Sequence, residues 1–315
     1  MKALAECVVV VTPRSFGMHD RGLRRQLEAG VGDVRYRPGP WAAAELAEVV
    51  HDADGLLCGL DQVSAEVFAA APRLRAVARY GVGVDKVDLD AAARHGVTVT
   101  VTPGANANAV AELTIAFLFA LARPLLSGRD RARAGEWPAL SGVELAGKTL
   151  GLVGLGRIGA LVASKAGALG LRVVAYDPNV ANSDLARLVD LGTLVAESDF
   201  VSLHAPLIEA TRGMVGRALL EKLKPGAALV NTARGELIDE AALLWALEEG
   251  PLRAAALDVL TAEPPSGAHP LLARDDVVVT PHMGPHTQEA TTAMGQMALD
   301  DLLAILAGRA PKHPL

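Results

Sequence analysis

Aromatic side chains are scarce. Phe, Tyr and Trp together make up 3% of the 315 residues, which excludes the stacking platforms that bind single-stranded nucleic acid. Positive charge is not in excess either: 30 Lys and Arg stand against 36 Asp and Glu, a formal net charge of −6. Neither a nucleic-acid backbone nor an anionic membrane is therefore an expected partner. Cysteine occurs only as Cys7 and Cys58, both in apolar strand-like runs and without metal-ligand spacing. Buried free thiols and a reducing cytoplasm are the expectation. No apolar run approaches the ~20 residues that span a bilayer, the most apolar helical stretch being Leu113–Leu121. The short run Cys7–Val11 is followed by Thr12, Pro13 and Arg14, unlike a signal peptide, so no membrane anchor is expected. What is plentiful is apolar: 51% hydrophobic residues at this length predict a compact chain with two domains.

The chain is organised around Thr149–Gly159. Leu150–Val153 reads as a buried strand, Gly154, Gly156 and Gly159 as a tight turn, and Ala160–Leu169 as the helix leaving it. That order suits a dinucleotide: the first glycine turns the chain, the second admits a pyrophosphate, and the third lets helix and strand pack. The helix N-terminus adds free N–H groups and a positive dipole end. A second strand, Leu171–Tyr176, ends at Asp177, whose carboxylate suits the ribose hydroxyls and repels a 2′-phosphate; NAD is expected over NADP.

Residues 1 to 100 alternate apolar strand-like runs (Cys7–Val11, Gly55–Cys58, Arg75–Ala78, Val97–Val101) with helical windows (Arg21–Ala29, Ala42–Asp52, Leu89–His95). Such alternation predicts a parallel sheet with helical crossovers. Within it, Gly81-Val82-Gly83 lies just past a strand and offers backbone N–H groups as a nest for a carboxylate. Thr102-Pro103-Gly104 reads as a hinge, followed by a helix over Asn106–Ala122 and a polar, irregular connector over Arg129–Ser141. Strands follow at Phe200–Leu203, Ala227–Asn231, Ala254–Val259 and Val277–Thr280, with a helix at Glu240–Glu249 and a closing amphipathic helix at Gln288–Leu306.

Three of these later strands are each followed by a functional side chain: Arg234, Glu263 and His282. Ligands of open parallel sheets bind beyond the carboxyl ends of the strands, so the three are expected to share one rim. Their chemistry fits hydride transfer to a 2-oxo acid. His282 supplies a proton to the carbonyl oxygen in reduction and takes it back in oxidation. Glu263 favours and orients the protonated ring, while the Arg234 fork holds the substrate carboxylate. His204 also ends a strand and reads equally as structural. His19, His51, His95, His269 and His313 read as surface or packing residues, and none has metal-ligand spacing, so no metal is expected.

The chain resembles the D-isomer-specific 2-hydroxyacid dehydrogenases, close to their phosphoglycerate and glyoxylate/hydroxypyruvate branches. The blocks that carry the resemblance are Gly81–Asp85, Asn106–Glu112, Glu144–Thr149, Gly154–Gly159, His204-Ala205-Pro206, Asn231–Gly235, Leu257–Pro265 and Pro281–Gly284, which cover nearly the whole chain in family order. The resemblance implies an α/β fold of two doubly wound parallel-sheet domains, with a Rossmann NAD-binding domain (102–286) inserted into a flavodoxin-like substrate domain (1–101 plus 287–315). It implies Arg234, Glu263 and His282 as the catalytic group. NAD contacts from Thr102, Arg157, Ile158, Asp177, Ala205, Thr232, Ala233 and Asp258 are implied beside the three glycines. Substrate contacts from the backbone of Val82 and Gly83, and a homodimer joined through the nucleotide domain, are implied as well. Lys86, Val101 and Pro285-His286 depart from the family pattern, and Arg79, Lys86 and His286 together suggest a doubly anionic substrate, phosphorylated or a phosphonate. The sequence ends at Leu315 without a regulatory domain of the longer phosphoglycerate dehydrogenases, so serine feedback is not expected. Alternatives of the same fold are a phosphite dehydrogenase, a formate dehydrogenase, although those carry Gln where Glu263 stands, and a non-catalytic NAD(H)-sensing corepressor.

Overall fold

The computed structural model describes residues 3–315. The chain divides into two compact units, one running through Asn106 and resuming over Pro285–Leu315, the other spanning Ala107–Gly284. Both are parallel α/β units.

In the first unit the order is β1 (Val8–Val11), α1 (Arg21–Gly30), β2 (Asp33–Tyr36), α2 (Ala43–Val50), β3 (Gly55–Cys58), α3 (Ala65–Ala70), β4 (Ala76–Arg79), α4 (Leu89–Arg94) and β5 (Thr98–Thr100). The strands lie side by side as β2-β1-β3-β4-β5, all parallel, which is the flavodoxin-like order. Successive strand residues face opposite sides, and both sides are covered. Val10, Leu56, Cys58 and Val77 pack with Leu46 and Phe68, whereas Val9, Val11, Leu57 and Ala78 pack against the last helix of the chain. That explains why β1 and β3 are wholly apolar.

The second unit runs α5 (Ala107–Ala122), α6 (Leu125–Arg133), β6 (Thr149–Val153), α7 (Arg157–Ala168), β7 (Arg172–Tyr176), β8 (Arg187–Leu188), α8 (Leu191–Glu197), β9 (Phe200–Leu203), α9 (Arg217–Leu220), β10 (Ala227–Asn231), α10 (Glu240–Glu248), β11 (Leu252–Leu257) and β12 (Val277–Val279). Its sheet order is β12-β11-β10-β9-β6-β7-β8. From β6 the chain winds first to one edge and then, from β9, to the other, so the order reverses between β6 and β9. This is the Rossmann arrangement with one added edge strand. Leu152, Val230 and Ala256 face one core with α5 and α7, while Leu203, Leu229 and Leu257 face the other with α10. The closing helix α11 (Gln288–Leu306) returns to the first unit, where Leu299, Leu302 and Leu306 join the β1–β4 core.

Two sequence expectations need correction. Residues read as an irregular connector from Arg129 are helical as far as Arg133, because α6 is a surface helix with no buried side chain and so has no apolar stripe to betray it. The helix after the glycine turn begins at Arg157 rather than Ala160, with Gly156 as its N-cap. Among the described residues no single helix is long and apolar enough to cross a membrane; α5 and α6 meet at a 64° bend.

Candidate active site

The glycine turn occupies the crevice where the sheet order of the second unit reverses. Gly154 has φ +100°, and a Cβ there would lie 2.7 Å from the His204 carbonyl at the end of β9. A Cβ on Gly159 would meet the Gly154 carbonyl oxygen at 2.2 Å. Only glycine permits either approach. Gly156 differs: nothing lies within 4 Å of where its Cβ would be, and it caps α7 without any side-chain bond, leaving the helix N-terminal N–H groups open. Two glycines thus shape the turn and one keeps it clear, a cradle that fits a dinucleotide pyrophosphate. Arg157 is exposed and Ile158 half-buried beside it. Asp177, half-buried at the end of β7, accepts Leu155 N–H at 2.8 Å and Asn179 N–H at 2.9 Å, so its carboxylate ties the glycine turn to the neighbouring strand end.

His204 hydrogen-bonds through Nε2 to Ser202 Oγ at 3.0 Å, and burial pushes its pKa down to about 4. It is a neutral ring under the turn, which agrees with the structural of its two sequence readings. Ala205 beside it lines the same crevice, the backbone nitrogen of Ala205 lying 2.9 Å from the would-be Gly154 Cβ.

The other three side chains arise from one level of the sheet. Asn231 of β10 is in register with Leu257 of β11, which is in register with Val279 of β12. Arg234, Glu263 and His282 each follow within a short loop. His282 Nδ1 lies 2.8 Å from Glu263 Oε2, with side chains 19% and 22% exposed, and His282 Nε2 has no protein partner among the described residues. Glu263 Oε1 accepts Leu260 N–H at 3.1 Å, which leaves Oε2 for the ring.

His282 is the one non-glycine residue at positive φ among those described, at +52°. That backbone is fixed by neighbours: His282 N–H donates to the carbonyls of Asp258 and Thr280, and the Asp258 carboxylate accepts from Thr280 Oγ1, Met283 N–H and Gly284 N–H at 2.5–2.8 Å. Burial raises the Asp258 carboxyl above its usual range, opposed by these three bonds. Asp258, an expected cofactor contact, therefore grips the turn that presents His282. Strain held by such a grip is characteristic of working side chains.

Arg234 is half-buried and donates from Nη1 to the Ala233 carbonyl at 2.7 Å. Fully buried Asn231 clips its loop at both ends, donating to the Arg234 carbonyl at 2.7 Å and accepting Ala233 N–H at 3.0 Å. Thr232 shares a hydroxyl contact of 3.1 Å with Thr114 of α5. Sequence reasoning misses the roles of Asn231 and of the Asp258 carboxylate in the turn, because each depends on where a loop folds back.

In the first unit, Arg79 ends β4 and is 5% exposed, donating to the Tyr80 carbonyl, and Gly81 follows at φ +151°. Val82 is exposed and Gly83 half-buried, while His286 lies exposed before α11. Thr102 is fully buried; its N–H donates to the Gly81 carbonyl, and its hydroxyl has no partner.

Residues 115–284 match the family model described as the NAD-binding domain of the D-isomer-specific 2-hydroxyacid dehydrogenases. The chain belongs to that family. As a D-2-hydroxyacid dehydrogenase family member it is 43% identical over 296 residues to the D-3-phosphoglycerate dehydrogenase of Mycobacterium leprae, covering 91% of this chain and 56% of that one. Against the hydroxypyruvate reductase of Thermotoga maritima it is 43% identical over 257 residues, covering 80% and 84%. The crystal structure of the TT0316 protein from Thermus thermophilus superposes with a TM-score of 0.89 at 41% identity, covering 98% and 99%. The chain thus spans about half the length of the phosphoglycerate dehydrogenases it matches.

Proposed function

We propose that this family member is an NAD-dependent dehydrogenase that interconverts a 2-oxo acid and a D-2-hydroxy acid. The observation that carries the reading is the His282–Glu263 pair at 2.8 Å, its members one and two strands over from Arg234 and beyond the same edge of the sheet that carries the glycine cradle. Glu263 holds the proton of Nδ1, which leaves Nε2 to deliver its own to the substrate oxygen during reduction. NADH, when bound, supplies the hydride. Arg234 fixes the substrate carboxylate through two parallel N–H bonds, so that the carbonyl is presented in one orientation. The exchange balances: hydride and proton leave a D-2-hydroxy acid, NAD and a ring ready to be reprotonated. Gly154, Gly156, Arg157, Ile158, Gly159, Asp177, Ala205, Thr232 and Ala233 are the groups we assign to the nucleotide. The backbone at Val82 and Gly83 is assigned to the substrate.

On the substrate, Arg79 supports a small, singly charged acid over a phosphorylated one. Arg79 is 5% exposed and donates from Nη1 to the Tyr80 carbonyl, so little of its charge faces solvent. A panel of 2-oxo acids tests the reading. Glyoxylate and hydroxypyruvate are expected to give the higher kcat/KM, and the reverse ranking would restore the doubly anionic substrate suggested by Arg79, Lys86 and His286. In the same panel NADH should outperform NADPH by about 2 kcal/mol, roughly thirtyfold, from like-charge repulsion at Asp177. Equal use of both would remove that role for Asp177.

We also propose a homodimer formed through the second unit. Its support is a run of exposed apolar side chains on α5, α6 and the following connector: Phe119, Leu125, Leu126 and Trp137, the last 90% exposed. Exposure of this kind marks an interaction surface. Light scattering should return twice the chain mass, and Trp137→Glu should halve it; a monomeric parent chain would dismiss the assignment.

A further inference from the structure

The segment carrying Glu263 runs from the end of β11 to a 3₁₀ turn at Pro270–Ala273. Ala262, Pro264, Ser266, Gly267 and Ala268 do not fix its path by apolar packing, since most of this stretch faces solvent. A single carboxylate bonds both ends of the stretch. Glu240, the first residue of α10, accepts Thr261 N–H on Oε1 at 2.9 Å, and its Oε2 lies 3.1 Å from His269 Nε2. The bonds fall at either end of the segment, two residues before Glu263 and six after it. His269, a surface or packing residue by sequence, has a side chain only 13% exposed, and its Nδ1 is buried without a partner. The ring therefore bonds Glu240 through Nε2–H, since the other tautomer would bury a donor that nothing accepts. Glu240 is itself held, because the preceding Asp239 caps α10 through Ala241 N–H and Ala242 N–H.

We propose that Glu240 is a positioning residue for the proton donor, closing with His269 a bracket that sets the Thr261–His269 segment and aims the Glu263 carboxylate at His282. The assignment rests on the preceding reading of His282 as that donor. Glu240→Gln tests it in the full chain. The amide oxygen still accepts Thr261 N–H, but its NH2 meets the His269 donor head-on. Glu248→Gln, on the exposed face of the same helix where Glu248 pairs with Arg274, is the control for a merely structural change.

Glu240→Gln is expected to lower kcat for glyoxylate reduction about tenfold with KM for NADH unchanged, the cost of a small misplacement of the acid. It should also shift the pH profile of kcat and move the ¹⁵N ring signal of His282 Nδ1. Glu248→Gln should leave all three alone. Adding His269→Gln to Glu240→Gln supplies an amide that accepts as well as donates and should recover part of the lost rate. If Glu240→Gln and Glu248→Gln give the same rates and the same His282 signal, the bracket is overturned. Should the unaltered chain reduce no 2-oxo acid, the dehydrogenase reading falls, and the His282 signal still decides whether Glu240 sets the ring.

Discussion

His282→Asn is expected to lower kcat for 2-oxo acid reduction about a thousandfold while NADH binds within about twofold of the unaltered chain. The size follows from the role of the imidazole. Without it, water must protonate the developing alkoxide, and general-acid help is generally worth two to four orders of magnitude. Asparagine is the informative replacement because of the backbone. At φ +52° a β-branched residue would be strained, and any loss would mix lost chemistry with a displaced turn. Asn tolerates the left-handed region and leaves the Asp258 bonds to Met283 and Gly284 in place. Stopped-flow reduction of glyoxylate, paired with a fluorescence titration of NADH, separates the two quantities. Retention of more than about a tenth of the parent rate would mean that the proton comes from elsewhere.

The second large effect needs no functional group to be touched. Gly235 follows Arg234, and a Cβ there would sit 2.1 Å from the backbone carbon of Leu260 and 2.3 Å from the nitrogen of Thr261. The loop bearing the guanidinium and the loop bearing Glu263 are thus in backbone contact, and that contact sets their separation. Gly235→Ala forces them apart. Overpacking against rigid backbone costs about 3 kcal/mol, which in a unit of the size of Ala107–Gly284 lowers Tm by roughly 6–12 °C. Turnover is expected to fall roughly a hundredfold even at temperatures where the protein stays folded, because Arg234 and Glu263 no longer share one geometry. Gly156→Ala is the contrast: its Cβ would enter open space, so the fold should be unharmed while NADH affinity drops. Thermal melts and kcat measured on both variants test the distinction, and a Gly235→Ala enzyme with parent activity would refute it.

Sequence is informative where one chemical pattern determines one local outcome. β3, β9, β10 and α11 fall on the residues expected of them, because unbroken apolar runs or a long apolar stripe have few other ways to be buried. β2 (Asp33–Tyr36) and the two-residue β8 escape such reasoning, each being a polar edge strand whose pairing comes from its neighbour rather than from its own residues. The same division runs through the site. That Arg234, Glu263 and His282 follow three adjacent, in-register strands is legible from the strand-end rule. That Asn231 clips the Arg234 loop, Asp258 grips the His282 turn and Glu240 joins Thr261 to His269 is not. Those bonds depend on loop paths and on partners up to 29 positions away, and a carboxylate or amide carries no mark in sequence of which backbone it will meet.

The two cysteines have a practical corollary. Cys7 and Cys58 are both fully enclosed, and enclosure pushes the Cys58 thiol up to about 12, so Cys58 stays protonated at neutral pH. Buried in this way, native sulfur is expected to stay silent toward alkylating dyes while the chain is folded. A fluorophore placed through one introduced cysteine on the exposed surface of α7 would therefore be the sole label on the molecule, and its emission could follow nucleotide occupancy without background from the rest of the chain.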